Sequence, residues 1–348
     1  MKLSSPSLAA PPARRLVPPS LPFAIFLAAA LAAPLVMTTG FQLRLVSLIF
    51  IYAILGMGFN VLYGYCGQVS MGHQGFFAIA AYAYALLQSK AGFSALAAFP
   101  ASLVVCALVA LLIGIPLLRL RTHYLAMATL CFGLVVSGVA NRWIEVTGGS
   151  GGLLIPSLAI GDKPLDRVTL YYMIVAATTI ALALQNFIVS GHLGRSLQAI
   201  RDDDRAAAAL GVNVAAQKLR AFVFSAVLAG VAGVAFAVVN RQVSPGMGEF
   251  PVLVSMLTIA VVGGLATRYG PILGAIVVVI APQFLARFGD LQTLAYGACL
   301  LLFLIFVPNG LSGLVAGLAA RVRRGRRGRP GLIVEPLASE VAKKGAGR

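Results

Sequence analysis

The run Gly148-Gly149-Ser150-Gly151-Gly152 has the GxSxG spacing of a hydrolase nucleophile elbow. That chemistry needs a histidine base within hydrogen-bond reach of the serine. The sequence has three histidines, His73, His123 and His192, and the span pattern puts all three across a membrane from Ser150. The glycine run is therefore read as a flexible or tightly turned loop, and no catalytic residue is assigned.

Two other clusters ask for a role. The stretch GYCGQVSMGHQGFF at 64–77 gathers Gln68, Ser70, His73 and Gln74, with Asn60 just upstream, between two long apolar runs. All five are neutral hydrogen-bonding groups. The segment SGHLGRSLQAIRDDDRAAAALGVNVAAQ at 190–217 instead concentrates charge, with Arg195, Arg201, Asp202, Asp203 and Asp204 ahead of an alanine run containing Ala207 and a stop at Gly211. Three carboxylates at the positive end of a short helix, four alanines of high helix propensity and a terminating glycine predict one or two short surface helices there. Four alanines also make a helix slim enough for a partner's groove.

An energy source is not visible. Glycine is never followed by lysine, so no GxxxxGK[ST] loop can cradle ATP phosphates. All ten acidic residues fall in loops, tails or span edges. Ion-coupled carriers usually bury a carboxylate inside a span, so any driving force is expected from a partner. No cofactor is expected.

The elements that must position these groups follow from composition. Hydrophobic residues are 59% of the 348 and charged residues 11%, against about 45–50% and about 25% in soluble domains. A chain of this kind is an all-α, polytopic membrane protein. At about 20 apolar residues per crossing, ten candidate spans fall near 21–38, 44–63, 72–89, 94–118, 123–142, 169–189, 218–240, 252–267, 271–288 and 291–309. The pair flanking TRYGP is short and close together, which leaves room for one bent span with a re-entrant piece. Arg14 and Arg15 ahead of LPFAIFLAAALAAPLVM also fit a signal peptide, but the apolar run is longer than the usual signal core and an uncleaved first helix is preferred.

With the N-terminus inside, 20 of the 27 Lys and Arg residues lie on the inner side and 7 on the outer. The positive-inside rule thus puts both termini in the cytoplasm. The domain plan is a disordered tail at 1–20, a transmembrane body at 21–317 and a basic disordered tail at 318–348. Within the body the outer loop is 143–168 and the cytoplasmic loop 190–217. The net charge of +17 does not call for nucleic acid: nine basic residues follow position 320, directly after the last span, where they suit anionic lipid headgroups. Cys66, Cys106, Cys131 and Cys299 form no CxxC pair, so disulfides and metal sites are not expected. Glycines inside spans, such as Gly56, Gly58, Gly230, Gly233, Gly263, Gly264, Gly270 and Gly274, are read as helix-packing positions.

Five blocks, GFNVLYGYCGQVSMGHQGFFAIAAYAYALL (58–87), LRTHYLAMATLCFG (120–133), TGGSGGL (147–153), SLQAIRDDDRAAAALGVNVAAQKLRAFVFSAVLAGVAGV (196–234) and VVGGLATRYGPILGA (261–275), together resemble the permease subunits of branched-chain amino acid ABC importers. The resemblance implies a bacterial inner-membrane complex with a second permease subunit, two cytoplasmic ATPase subunits, a periplasmic binding protein and an amino-acid substrate. It implies that 196–213 contacts an ATPase, although family members often carry a glutamate where this chain has Ala208. Sister systems with these motifs import urea, short-chain amides or other amino acids, so the cargo stays open at this point. A self-sufficient carrier or channel is the alternative of a different class. In this frame 64–77 is expected to be a broken-helix element lining the substrate path. Asn60, Gln68, Ser70, His73 and Gln74 would offer hydrogen bonds to a zwitterion, and a helix starting near Gly72 would point its positive end at a carboxylate.

Overall fold

A computed structural model of the chain describes residues 28–314 apart from 29, 35–36, 38, 121, 157–158, 161–162 and 308–309. The two expected tails, 1–20 and 318–348, and most of the first candidate span lie outside the described residues.

Long helices form where side-chain caps meet apolar runs. Helix α1 (Gly40–Phe59) starts at Thr39, whose side chain accepts from Gln42 N, and runs on into a π-helical turn at Asn60–Tyr65. Helix α2 is His73–Ser89, and α3 (Ala95–Leu117) is capped by Ser94. Helix α4 is Thr122–Arg142, α5 a single turn at Ile144–Thr147, and α6 (Arg167–Ser190) starts at Asp166. Two short helices follow, α7 (His192–Asp202) and α8 (Asp204–Ala209). Helix α9 (Val214–Asn240) begins at Asn213, whose Oδ1 accepts from Ala216 N at 3.1 Å. Helices α10 (Phe250–Gly263), α11 (Gly270–Leu285) and α12 (Gln292–Phe306) complete the described elements. Among the described residues, five helical stretches are long and apolar enough to cross a membrane, and α10, α11 and α12 are shorter apolar helices. This is a polytopic helical membrane protein. Each sequence-predicted span from 44 onward corresponds to one of these helices, with ends that move by a few residues.

Helix α9 is the axis of the bundle and packs against α1, α2 and α3, while α1 also contacts α6 and α11. Helix α3 turns Leu96, Val104, Leu108 and Leu112 outward, as lipid-facing positions require. Dispersion must hold such a bundle together, so backbones approach closely. A Cβ at Gly233 would run into the Phe77 carbonyl of α2. The same logic joins α10 and α11, where a Cβ on Gly274 would strike the Ile259 carbonyl.

That last contact bears on a point the sequence leaves open. The segments flanking TRYGP are not one bent span: Gly263 lies against Gly270 and Ile259 against Gly274, so α10 and α11 form a tight antiparallel hairpin. The irregular piece that enters the bundle is the stretch before α10. Pro245–Gly248 forms a 3-10 turn, Val243 and Met247 are buried, and Ser137 Oγ on α4 donates to the Pro245 carbonyl at 3.1 Å.

The glycine run at 148–152 is tightly turned. Gly148, Gly149 and Gly152 have φ of 76°, 60° and 69°, in a region open mainly to glycine. Leu153–Leu154 (β1) pairs antiparallel with Gln242–Val243 (β4), fastening the loop to the end of α9, and Ala159–Ile160 (β2) pairs with Lys163–Pro164 (β3).

Candidate coupling and substrate-path site

The polar stretch begins where α1 loosens into its π turn, an irregularity common at functional sites. Asn60 is fully buried. Its Oδ1 accepts from Ala266 N at 2.9 Å and its Nδ2 donates to the Thr267 carbonyl at 2.8 Å. One side chain thus pairs both a donor and an acceptor freed where α10 ends. Gly64 lies on the same junction, since a Cβ there would sit 2.6 Å from Ala266 N.

From Cys66 to Gly72 the chain is not helical. Unwound backbone at membrane depth must be satisfied by protein or by a water-filled cavity, and here protein does much of it: Gln68 N donates to the Leu62 carbonyl at 3.1 Å and Met71 N to Thr129 Oγ1 at 2.9 Å. Helix α2 then starts at His73 with Gly72 as its cap, as the sequence predicts. Ser70 Oγ and His73 Nδ1 are hydrogen-bonded at 3.0 Å. The imidazole meets Phe59, Phe76 and Phe222 edge-on. Gln68, Ser70, His73 and Gln74 are all buried. Among the described residues, Gln68 Oε1, His73 Nε2 and both amide atoms of Gln74 have no hydrogen-bond partner. Such groups are costly in an apolar interior. The break therefore carries unspent hydrogen-bonding capacity, centred on Gln74, whose amide lies directly against Gly133 of α4.

The charged loop folds as the expected pair of short helices, and it folds against this break. Ser196, Leu197 and Ile200 form the buried face of α7 and Arg195 its exposed side. Arg201, in the last turn of α7, donates from Nη1 to the Gly64 carbonyl at 2.6 Å. Its side chain also lies over Gly67, whose φ of +72° and missing Cβ leave room for it. Cys66, Gly67, Gln68, Arg201, Asp204 and Lys218 line a cleft of about 620 Å³ between the two segments. The two stretches singled out in the sequence thus meet at this cleft.

The three aspartates divide their labour. Asp203 is the N-cap of α8, with Oδ1 accepting from Arg205 N at 2.7 Å and Ala206 N at 3.1 Å. Those backbone donors hold its carboxyl below the usual carboxylate range. Asp204 stands in the first turn and pairs with Lys218 at the start of α9. Asp202 departs from expectation: it is the last residue of α7, at a negative helix end where the dipole does not favour it. Ala207 is buried, while Ala206, Ala208, Ala209 and Leu210 are exposed, and Gly211 has a φ of +84° just past the end of α8.

The geometry rules out the serine elbow. Gly152 contacts Val243 just past the end of α9, whereas His73 packs on Phe222 near its start. Those points are separated by about 27 Å of helix at 1.5 Å per residue. His123 and His192 stand at the ends of α4 and α6 remote from this loop, so no histidine reaches Ser150.

Residues 41–308 match the family model described as "Branched-chain amino acid transport system / permease component". The chain belongs to this permease family. It is 32% identical over 307 residues to the high-affinity branched-chain amino acid transport system permease protein LivM of Salmonella typhimurium, covering 81% of this chain and 72% of that protein. Its identity to LivM of Escherichia coli is 33% over the same coverage. The LivH permease protein of Escherichia coli is 25% identical over 75% of this chain and 91% of its own length. No solved structure matches the chain. The matched family consists of transport permeases, not enzymes, and the match spans every long helix described above.

Ala266 and Thr267, the partners of Asn60, are among the members of the site that residue-by-residue reading does not find. Their contribution is backbone only, so no side-chain type marks them.

Proposed function

We propose that this chain is one of two different permease subunits of an ATP-driven importer in the bacterial inner membrane. Two cytoplasmic ATPases drive it, and a periplasmic binding protein delivers a branched-chain amino acid. In this reading about ten spans cross the membrane with both termini cytoplasmic. The single observation that supports coupling best is the Arg201 to Gly64 hydrogen bond. It gives the α7–α8 unit a direct mechanical connection to the broken segment between α1 and α2. An ATPase that seats α8 by its exposed alanines and Leu210 would move α7 as a rigid body, and the pull would reach the break through Arg201.

The substrate path in this proposal passes the break. Gln68 and Gln74 offer unspent amide groups to a zwitterion, Ser70 and His73 form a bonded pair beside them, and Asn60 holds the α10–α11 junction in place. The positive end of α2 faces a carboxylate. The cargo assignment rests on family membership, since the polar groups named here would equally bind another small zwitterion or amide.

The test is ATP-dependent uptake of labelled leucine by cells expressing this chain with its neighbouring genes, competed with isoleucine, valine, other amino acids and urea. Competition by branched aliphatic amino acids alone supports the cargo. Competition by urea or polar amino acids removes it and keeps the architecture, and uptake without any ATPase removes the architecture. Alanine at Gln68 and Gln74 that left uptake and assembly normal would remove the path.

A further inference from the structure

At the opposite end of the bundle from Arg201, a pocket of about 460 Å³ opens between the start of α1, the start of α6 and the end of α9. Arg44, Arg167 and Arg241 are among its lining residues, together with apolar Leu43, Leu170 and Val238. Three arginines from three helix ends line this one pocket. Gly40 has no side chain, and a Cβ there would collide with the Arg167 guanidinium lying over it. Arg44 Nη2 donates to Asn240 Oδ1 at 2.6 Å, and Asn240 is itself oriented by donating from Nδ2 to the Phe236 carbonyl at 2.9 Å. Arg241 holds a left-handed backbone, φ 55° and ψ 23°, which a non-glycine residue adopts only at a cost in strain.

Among the described residues, no carboxylate lines this pocket. Among the described residues the ion pair is Lys218 with Asp204, at the other end of the molecule. Of the seven basic residues that charge parity puts on the outer side, three meet here, against the general depletion of positive charge on that side. Arg167 is the first residue of α6, Arg241 caps the end of α9 and Arg44 lies near the start of α1, and apolar Leu43, Leu170, Val238 and Val239 share the lining with them. Three cations together with apolar walls fit a ligand with an anionic head and a hydrocarbon body. We propose that this pocket binds an anionic phospholipid, with its phosphate on Arg44, Arg167 and Arg241 and the start of an acyl chain along Leu43, Leu170 and Val238. The proposal is independent of the cargo and of the coupling reading, because lipid binding is read without transport.

The experiment is native mass spectrometry of the full chain, in the complex it copurifies with, titrated with phosphatidylglycerol. Phosphatidylcholine of the same chain length is the zwitterionic control and inorganic phosphate the competitor. Wild type should prefer phosphatidylglycerol, and Arg44→Gln, Arg167→Gln and Arg241→Gly should each weaken it on the order of fivefold, with inorganic phosphate in excess displacing little. Glycine at 241 suits the left-handed backbone, so that variant separates loss of charge from loss of fold. Equal affinity in wild type and Arg241→Gly overturns the proposal. So does complete displacement by inorganic phosphate, which would make a free anion the ligand. Loss of binding-protein capture with lipid affinity unchanged overturns it too, because the occupant would then be a protein carboxylate.

Discussion

The Arg201 guanidinium donates to the Gly64 carbonyl across 2.6 Å, so the last turn of a short surface helix is bonded to the backbone of a membrane-embedded π turn. This bond crosses 137 residues of sequence. Hydrogen bonds to charged groups contribute about 1.5–3 kcal/mol, and the exposed setting of this arginine puts it at the lower end. Arg201→Ala should leave the assembled complex able to hydrolyse ATP while uptake falls about tenfold, a change of about 1.4 kcal/mol in coupling. Parallel ATPase and uptake assays in proteoliposomes check this, and equal losses in both would show a defect of assembly instead. Arg201→Lys should fall between the two, since lysine offers a point charge in place of the planar fork.

Asp204 and Lys218 offer a charge-swap test. Their ion pair fastens α8 to the start of α9. Asp204→Lys should set two lysines against each other and reduce uptake, and adding Lys218→Asp should restore much of it. A double variant as poor as the single one would show that Asp204 matters through another contact.

Asp203 makes a pH prediction whose sign follows from its cap. Backbone donors hold its carboxyl below the ordinary aspartate value. The stabilisation of α8 is therefore complete above about pH 4, where the unfolded-state carboxyl is also ionised, and is lost as pH falls through the lower folded value. Hydrogen exchange at residues 204–209, corrected for intrinsic rates, should show constant protection between pH 5 and 8. Asp203→Asn should keep the protection, because an asparagine oxygen also caps, and Asp203→Ala should lose it across that whole range.

Asn60→Ala should destabilise the membrane domain by leaving Ala266 N–H and the Thr267 carbonyl without their partner, at about 1–3 kcal/mol for each orphaned buried group. Asn60→Asp keeps the acceptor for Ala266 but loses the donor to Thr267, and should be no better. Thermal unfolding in detergent reads both. Stability equal to wild type would mean that water replaces the side chain.

Gly233→Ala should lower the unfolding temperature while Gly138→Ala does not. The added methyl at 233 meets the Phe77 backbone, and at 138 it meets open space. Overpacking of this kind costs about 1–3 kcal/mol, and the comparison cancels the intrinsic gain of alanine over glycine in a helix.

Much of this protein was legible because the bilayer imposes simple rules. Runs of about 20 apolar residues become helices, which is why the ends of α2, α4 and α9 lie within a few residues of their expected positions. Local capping chemistry was equally readable: Asp203, the alanine run and Gly211 build α8 from interactions no more than a few residues apart. Asp202 was misread because the sequence alone does not show that a second helix ends on it, which reverses the dipole it feels. The TRYGP hairpin was also open in sequence, since length does not distinguish a bent span from two helices packed through Gly263 and Gly274.

Only the tertiary structure decided which polar groups are spent. Asn60 and Gln74 read alike in sequence, yet one satisfies a backbone junction 206 residues away and the other has no hydrogen-bond partner among the described residues. Likewise the neutral stretch at 64–77 and the charged loop at 190–217 meet through Arg201, and three scattered arginines line one pocket. Sequence determines where helices form because those forces are local and set by the solvent. It does not by itself determine which helix ends meet, because that depends on how every backbone in the bundle packs at once.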